Sequence, residues 1–240
     1  MNRKPNAQYN LAKPDSLSVR VATRVRRQMF AMFMSRFHPG PTDEVLDIGV
    51  TSDRTYGSSN YFEALYPFKD RITAAGVDDA KFLEEMYPGV RFRTANVLDL
   101  PFEDRSFDYV HSSAVLEHVG SNANQKRMIE ECLRVARKGV CLTTPDRWFP
   151  VEFHTQLPIV HWLPKRIFRN ILRGLGQVDL ADEANLNLVT RREVRQMIVD
   201  RPDWLFELAS PRLLGWKSNI VLFGRRTNSP DLLQPGIGAP

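Results

Sequence analysis

Residues 44–60 read EVLDIGVTSDRTYGSSN. Val45, Leu46 and Ile48 make a short apolar run around one acid, Asp47, and the run ends on Gly49. A run this short, closed by a glycine, predicts a buried strand that turns sharply. The turn is long and poor in glycine, since Thr51 stands two residues after Gly49 and "TSDRTYGSS" precedes the next apolar stretch. Ser58, Ser59 and Asn60 are candidate caps for a helix over 59–66.

Outward from this strand the pattern alternates. Upstream, a helix starts at Ser16, with Val21, Val25, Met29, Met32, Phe33 and Phe37 on one face and Arg20, Arg24 and Arg27 on the other. "HPGP" at 38–41 stops it. Downstream, "ITAAGVD" (72–78), "VRFRTAN" (90–96), "SFDYVHSS" (106–113) and "GVCLTTP" (139–145) read as strands. "AKFLEEMY" (80–87), with Asp79 as its cap, and "NQKRMIEECLRVAR" (124–137) read as helices. Strands alternating with helices predict βαβ crossovers and a parallel sheet. "WLFELASPRL" (204–213) and "KSNIVLFGRR" (217–226) are joined by "LGW" alone, too little chain for a crossover, so they pair antiparallel. The expected fold is an α/β, Rossmann-like, three-layer αβα sandwich around a mixed seven-stranded sheet. Residues 16–226 form one domain, 1–15 a flexible arm and 227–240 a tail.

The bulk composition narrows the function. Hydrophobic residues make up 42% and charged residues 25% of the 240, which excludes wholesale disorder. No apolar run is long enough to span a bilayer, and "MNRKPNAQYN" lacks the apolar core of a secretory leader, so a cytoplasmic protein is expected. Cys132 and Cys141 fit no metal-binding spacing and read as buried reduced thiols; no metal site is expected. The net charge of +5 is segregated. Residues 1–40 hold eight Lys/Arg against Asp15 alone, residues 41–146 carry −6, and residues 147–240 carry +4. A nucleic-acid enzyme keeps its basic residues beside its site, and here they avoid the central body, so a nucleic-acid partner is disfavoured.

Open parallel sheets bind ligands at the carboxyl ends of their strands. Asp47 and Gly49, then Asp78, then Asn96 and Val97, then Ser112 and Ser113 stand at four such ends. Taken in order with "VLDIG", "GVD", "LDLPFEDRSFDYV" and "VLEHV", they resemble the class I S-adenosylmethionine-dependent methyltransferases, in particular the small-molecule group called type 11. The resemblance covers residues 20–145, and 204–226 by the form of the last two strands; "LPFEDRSFDYV" is its most specific piece.

The resemblance implies S-adenosylmethionine as cofactor and a role for each strand end. Asp47 and Gly49 line the loop beneath the methionine portion, and Asp78 holds the ribose. Asn96 replaces the common Asp that reads the adenine amino group, and its side-chain oxygen can still accept that bond. The Val97 amide serves the adenine ring, and Ser112 flanks the methionine end. The glycine-poor turn leaves two readings open. Either Thr51, Ser52 or Asp53 meets the amino-acid end of the cofactor, or the fold has lost its ligand and acts as a non-catalytic partner. Hydride transfer is disfavoured, because "GVTSDR" cannot bring backbone against a pyrophosphate.

For proton removal from an acceptor the candidates are Glu117, His118 and, in "TPDRWFPVEFHT" (144–155), Asp146, Arg147, Glu152 and His154. His118 reads first as a locally bonded helix-start residue, Glu117 as a cap or salt bridge, and His154 is the better catalytic candidate. His38, His111 and His161 are given no role. Residues 148–190 form an insertion, read as a lid over the acceptor. Within it Ile167, Ile171 and Leu172 oppose Arg166, Arg169 and Arg173, the pattern of a helix that can lie in a membrane interface. The expected acceptor is a small-molecule or lipid-linked metabolite, with peripheral membrane contact through 160–175. RNA methylation stands as a further alternative.

Overall fold

The computed structural model describes residues 17–54, 59–198 and 201–227. The N-terminal arm, Ser58 and the tail beyond 227 lie outside the described residues.

A seven-stranded sheet has the order β3-β2-β1-β4-β5-β9-β6. Its strands are β1 (Val45–Ile48), β2 (Ile72–Gly76), β3 (Arg91–Thr94), β4 (Phe107–Ser113), β5 (Ala136–Pro145), β6 (Trp204–Ala209) and β9 (Asn219–Arg226). The first five are parallel neighbours, and β9 runs antiparallel between β5 and β6. The expected mixed seven-stranded sheet is thus present, with an antiparallel last pair. Between β6 and β9 lies a small two-stranded ribbon, β7 (Arg212–Leu213) with β8 (Trp216–Lys217), not foreseen from the sequence. Leu214 and Gly215, both at positive φ, make its two-residue turn.

β1 is central and buried throughout, which is why its sequence is nearly all apolar. Strand order reverses beside it, because β2 pairs on one side and β4 on the other. That switch point opens a crevice at the carboxyl ends.

Helices cover both faces. On one face α1 (Leu17–Phe37), α2 (Tyr61–Leu65) and α3 (Phe82–Met86) pack on the sheet. Val25, Met29, Phe33 and Phe37, four apart along α1, are buried there, while Arg20, Arg24 and Arg27 are exposed. Phe33 is fully enclosed among Phe37, Phe62, Tyr66, Tyr109 and His111. On the other face α4 (Asn122–Val135) and α6 (Arg191–Met197) pack over Leu46, Ile48, Val110, Val140 and Leu142. Ser121 caps α4 through the Asn124 amide, and Thr190 with Glu193 forms a capping box on α6. Cys132 and Cys141 are free, buried thiols on opposite faces.

The insertion after β5 has a small core of its own. Phe168 and Leu172 of α5 (Lys165–Gly174) pack with Leu180, Ala181, Leu186 and Leu188. The inward face of α5 therefore runs through Phe168 and Leu172, and Ile167 is left half-exposed at 48%. Arg169, read from the sequence as part of an outer basic face, is ion-paired with Glu183 at 3.0 Å.

Candidate active site

The crevice has a volume of about 780 Å³, within the range of small-ligand sites. Its floor is the glycine turn after β1. Gly49 has φ +93°, and a Cβ there would stand 2.0 Å from Val115 Cγ2, so only glycine fits. Gly76, at the end of β2, comes so close to Val50 that a Cβ would lie 2.7 Å from its carbonyl oxygen.

The absent glycines after Gly49 are replaced by a side-chain clamp. Asn60 stands at the N-cap of α2 but makes no capping bond. It reaches back to Thr51 instead: Oδ1 accepts from the Thr51 amide at 2.9 Å, and Nδ2 donates to the Thr51 carbonyl at 3.0 Å. The Thr51 hydroxyl in turn accepts from the Asp53 amide at 3.0 Å. The turn is re-routed and held by side chains where other such turns use glycine.

Of the residues expected to bind cofactor, Gly49, Thr51, Asp78, Asn96 and Val97 line the crevice together. Asp78 follows the end of β2. Asn96 follows β3, and its Oδ1 already accepts from the Leu98 amide at 3.0 Å, leaving one lone pair for a second donor.

Asp47 and Ser112 are placed elsewhere. The Ser112 hydroxyl donates to the Ile48 carbonyl, its register partner, and Ser113 lines the crevice in its stead. Asp47 lies beneath α1 and α2, 2.5 Å from Nδ1 of His111, which also sits directly opposite in register. His111, given no role from its sequence context, also meets the Tyr61 hydroxyl at 3.1 Å. Burial raises Asp47 to about 7, raises Glu63 beside it, and lowers His111 to about 3. Burial disfavours charge on all three side chains, and the cluster belongs to the core and not to the crevice.

Arg26, unremarked in the sequence, projects from α1 into the crevice wall, where burial lowers its pKa. Asp53, Asp78, Asp182 and Glu183 line the same walls. Asp182, Glu183 and Ala184 belong to the insertion, which therefore closes one side of the crevice. No local motif marked Arg26 or 182–184; only the long-range fold brings them there.

Opposite the turn, the three proton-transfer candidates converge. His118 and His154 both line the crevice, with their Nε2 atoms 3.2 Å apart. Glu117 lies behind them, fully buried, with Oε1 3.9 Å from His118 Nε2. Its other oxygen accepts from the Thr144 hydroxyl at 2.9 Å. Each imidazole is oriented from behind: His118 Nδ1 donates to the Asn185 carbonyl at 2.6 Å, and His154 Nδ1 meets Glu152 Oε1 at 2.7 Å. Burial would raise Glu152, but His154 and the amides of His154 and Thr155 outweigh it and hold the carboxyl down to about 2. Burial works to lower His154, and Glu152 with Glu117 reverse this into a net rise. Glu117 is raised, chiefly by burial. Asp146 and Arg147 are structural: the Asp146 carboxylate accepts from the Trp148 amide, and Arg147 donates to the His161 and Leu163 carbonyls.

Residues 55–143 match the family model described as "Methyltransferase domain". No curated protein sequence matches the chain significantly. Among solved structures, the chain is similar to the PH0226 protein of Pyrococcus horikoshii OT3 (TM-score 0.58, 13% identity, 91% of this chain and 95% of that one). It is likewise similar to the magnesium protoporphyrin IX methyltransferase of Synechocystis PCC 6803, solved with bound SAH (TM-score 0.57, 14% identity, 92% and 91%). A SAM-dependent methyltransferase of Methanosarcina mazei also aligns (TM-score 0.50, 18% identity, 80% and 96%). At these identities the likeness is one of fold. The chain has the class I methyltransferase fold, and its residues 55–143 carry the sequence pattern of the methyltransferase-domain family.

Proposed function

We propose that this protein transfers a methyl group from S-adenosylmethionine to a small-molecule or lipid-linked acceptor. One observation carries the reading: Asp78, Asn96, Val97 and Gly49 line one crevice at the switch point of the sheet, and the re-routed turn beneath it is held in place by Asn60. The carboxylate of Asp78 suits two ribose hydroxyls, and Asn96 with the Val97 amide suits an adenine edge. Arg26 suits the carboxylate of the methionine portion, while the acidic walls suit a sulfonium. Transfer is an in-line displacement at an already activated carbon, so alignment supplies much of the acceleration. His118 and His154, on the facing wall, are placed to take a proton from the acceptor.

Support for a lipid-like acceptor comes from the rim of the insertion. Ile159, Leu163 and Ile167 are exposed there, as are Trp148 and Trp216, and Trp162 contacts both tryptophans. Peripheral membrane contact through 160–175 belongs to the same reading. No helix among the described residues is long and apolar enough to cross a membrane. An acidic crevice is unfavourable to an RNA backbone.

Calorimetric titration with S-adenosylmethionine and S-adenosylhomocysteine tests the donor side. Saturable binding is expected; a folded sample giving no heat would leave a non-catalytic partner of the same fold. Sedimentation with anionic vesicles, comparing wild type with Arg166→Glu, tests the membrane face. Equal pelleting removes that part.

A further inference from the structure

We propose that Glu117, His118 and His154 form a binding site for a divalent first-row transition metal ion, best suited to zinc, open to the crevice. Three observations converge on it. The first is the pairing of the two imidazoles. The Asn185 carbonyl can only accept, so His118 Nδ1 carries a proton; Glu152, whose two oxygens already accept from the His154 and Thr155 amides, accepts from His154 Nδ1 as well. Both Nε2 atoms then offer lone pairs, and these face each other at 3.2 Å. Two lone pairs cannot face each other at that distance without a cation between them, either a proton shared by the two rings or a metal ion.

The second observation is the spacing itself. Two metal–nitrogen bonds of about 2.0–2.1 Å at a tetrahedral angle place their nitrogens about 3.3 Å apart. The imidazole pair already has this separation. The third is Glu117. Its Oε1 is buried without a hydrogen-bond partner and stands 3.9 Å from His118 Nε2, and one ligand atom from each of the three residues lies within 4.8 Å of the others. An orphaned carboxylate oxygen in the interior is costly, and a metal ion would satisfy it. The carboxylate needs to move inward by under about 1 Å to reach bonding distance.

The outer contacts are those a metal site requires. One histidine is backed by a carboxylate and the other by a backbone carbonyl, which fixes ring orientation and raises ligand basicity. Two imidazoles and one carboxylate leave a fourth position, and both imidazoles border the crevice, so that position faces it. The imidazole–carboxylate donor set selects zinc over magnesium or calcium.

The site's use rests on the methyl-transfer reading; its existence does not. With metal bound, the Nε2 lone pairs are committed to coordination and cannot act as bases. An acceptor hydroxyl or thiol in the fourth position is acidified by the metal and releases its proton to solvent. The resulting anion takes the methyl group, the carbon–sulfur bond breaks, and the sulfur leaves as a neutral thioether.

The test is zinc titration of metal-stripped full-length protein against a coloured zinc chelator, with cobalt(II) as a second probe. One equivalent of zinc per chain is expected, along with the intense visible bands of four-coordinate cobalt. His154→Ala and His118→Ala are expected to lose stoichiometric binding. Glu152→Gln, which removes the backing carboxylate, is expected to weaken it about 10–100-fold. His38→Asn, on an exposed histidine outside the crevice, should change nothing. Glu117→Gln keeps an acceptor for Thr144 and guards against variants that fail to fold; weaker zinc binding is expected.

Failure of wild type to compete for zinc, or equal binding by the folded Glu117, His118 and His154 variants, overturns the proposal. S-adenosylhomocysteine titrated into the same stripped protein separates the two readings. Heat without zinc binding removes the metal site alone, whereas zinc binding without heat removes methyl transfer alone.

Discussion

Replacement of Asn60 by alanine probes how a turn without glycines keeps its shape. The residue is 9% exposed, and its side chain makes two bonds to the Thr51 backbone, at 2.9 and 3.0 Å. At about 0.5–1.5 kcal/mol net for each bond, their loss costs about 1–3 kcal/mol. The low half of that range applies here, because Thr51 is partly exposed and water can replace some of what is lost. For a chain of this size each kcal/mol lowers the melting temperature by about 2–4 °C, so a fall of about 2–8 °C is expected. The larger effect falls on the ligand. Residues 51–53 would have to be ordered on binding, at about 1–2 kcal/mol of backbone entropy for each residue fixed, and even one such residue weakens affinity roughly tenfold. Asn60→Asp keeps the acceptor for the Thr51 amide but sets a carboxylate against the Thr51 carbonyl, so it should not rescue. Differential scanning calorimetry and titration with S-adenosylhomocysteine give the two readouts. Unchanged melting and unchanged affinity would refute the clamp. A lower melting temperature with unchanged affinity would refute its link to the ligand.

Gly49→Ala adds a Cβ at φ +93° with 2.0 Å to Val115; a left-handed non-glycine residue costs about 1–2 kcal/mol before the overlap is counted. Melting should fall by several degrees, whereas Gly174→Ala, with nothing within 4 Å of its added carbon, should not destabilise. Arg26→Gln should weaken S-adenosylhomocysteine about 10–100-fold, the worth of one charge-assisted bond, and leave methylthioadenosine, which lacks the carboxylate, unaffected. Phe33→Ala empties the centre of the α1 face and should cost about 3–5 kcal/mol in denaturant unfolding. The folded state keeps protons on Glu63 and on Asp47, which titrates at about 7, that the unfolded chain has shed. From pH 6.5 to 8 the unfolded His111, with its ordinary pKa of about 6.5, still sheds part of a proton, which offsets less than the two carboxyls lose, so stability should fall over that interval, and Asp47→Asn should flatten the decline. A rise over that interval would contradict the assignment.

The sheet was legible because it rests on local patterns: five short runs between helical stretches, the first three ending in Gly, Asp and Asn, and an antiparallel pair betrayed by a three-residue connection. The ribbon at 212–217 was missed because two-residue strands leave no periodicity to read. The site was legible in part. Asp78, Asn96 and Val97 follow from their places after strands. Asp47 does not, since its partner His111 is opposite only once β1 and β4 are in register. Arg26 and Asn60 escaped for a related reason. The first drew no reading on its basic helix and the second read as a cap; only the folded chain brings the one to the crevice and the other onto Thr51. The convergence of Glu117, His118 and His154 depends on a segment 36 residues away folding back onto the turn after β4, as the 3.2 Å approach of the two histidines records.

Direct titration of S-adenosylhomocysteine into wild type and Asp78→Ala bears most closely on the whole account. Saturable binding to wild type is predicted, weakened about 10–100-fold once the carboxylate facing the crevice is removed. Equal affinity in both proteins, or no heat from folded wild type, would contradict it.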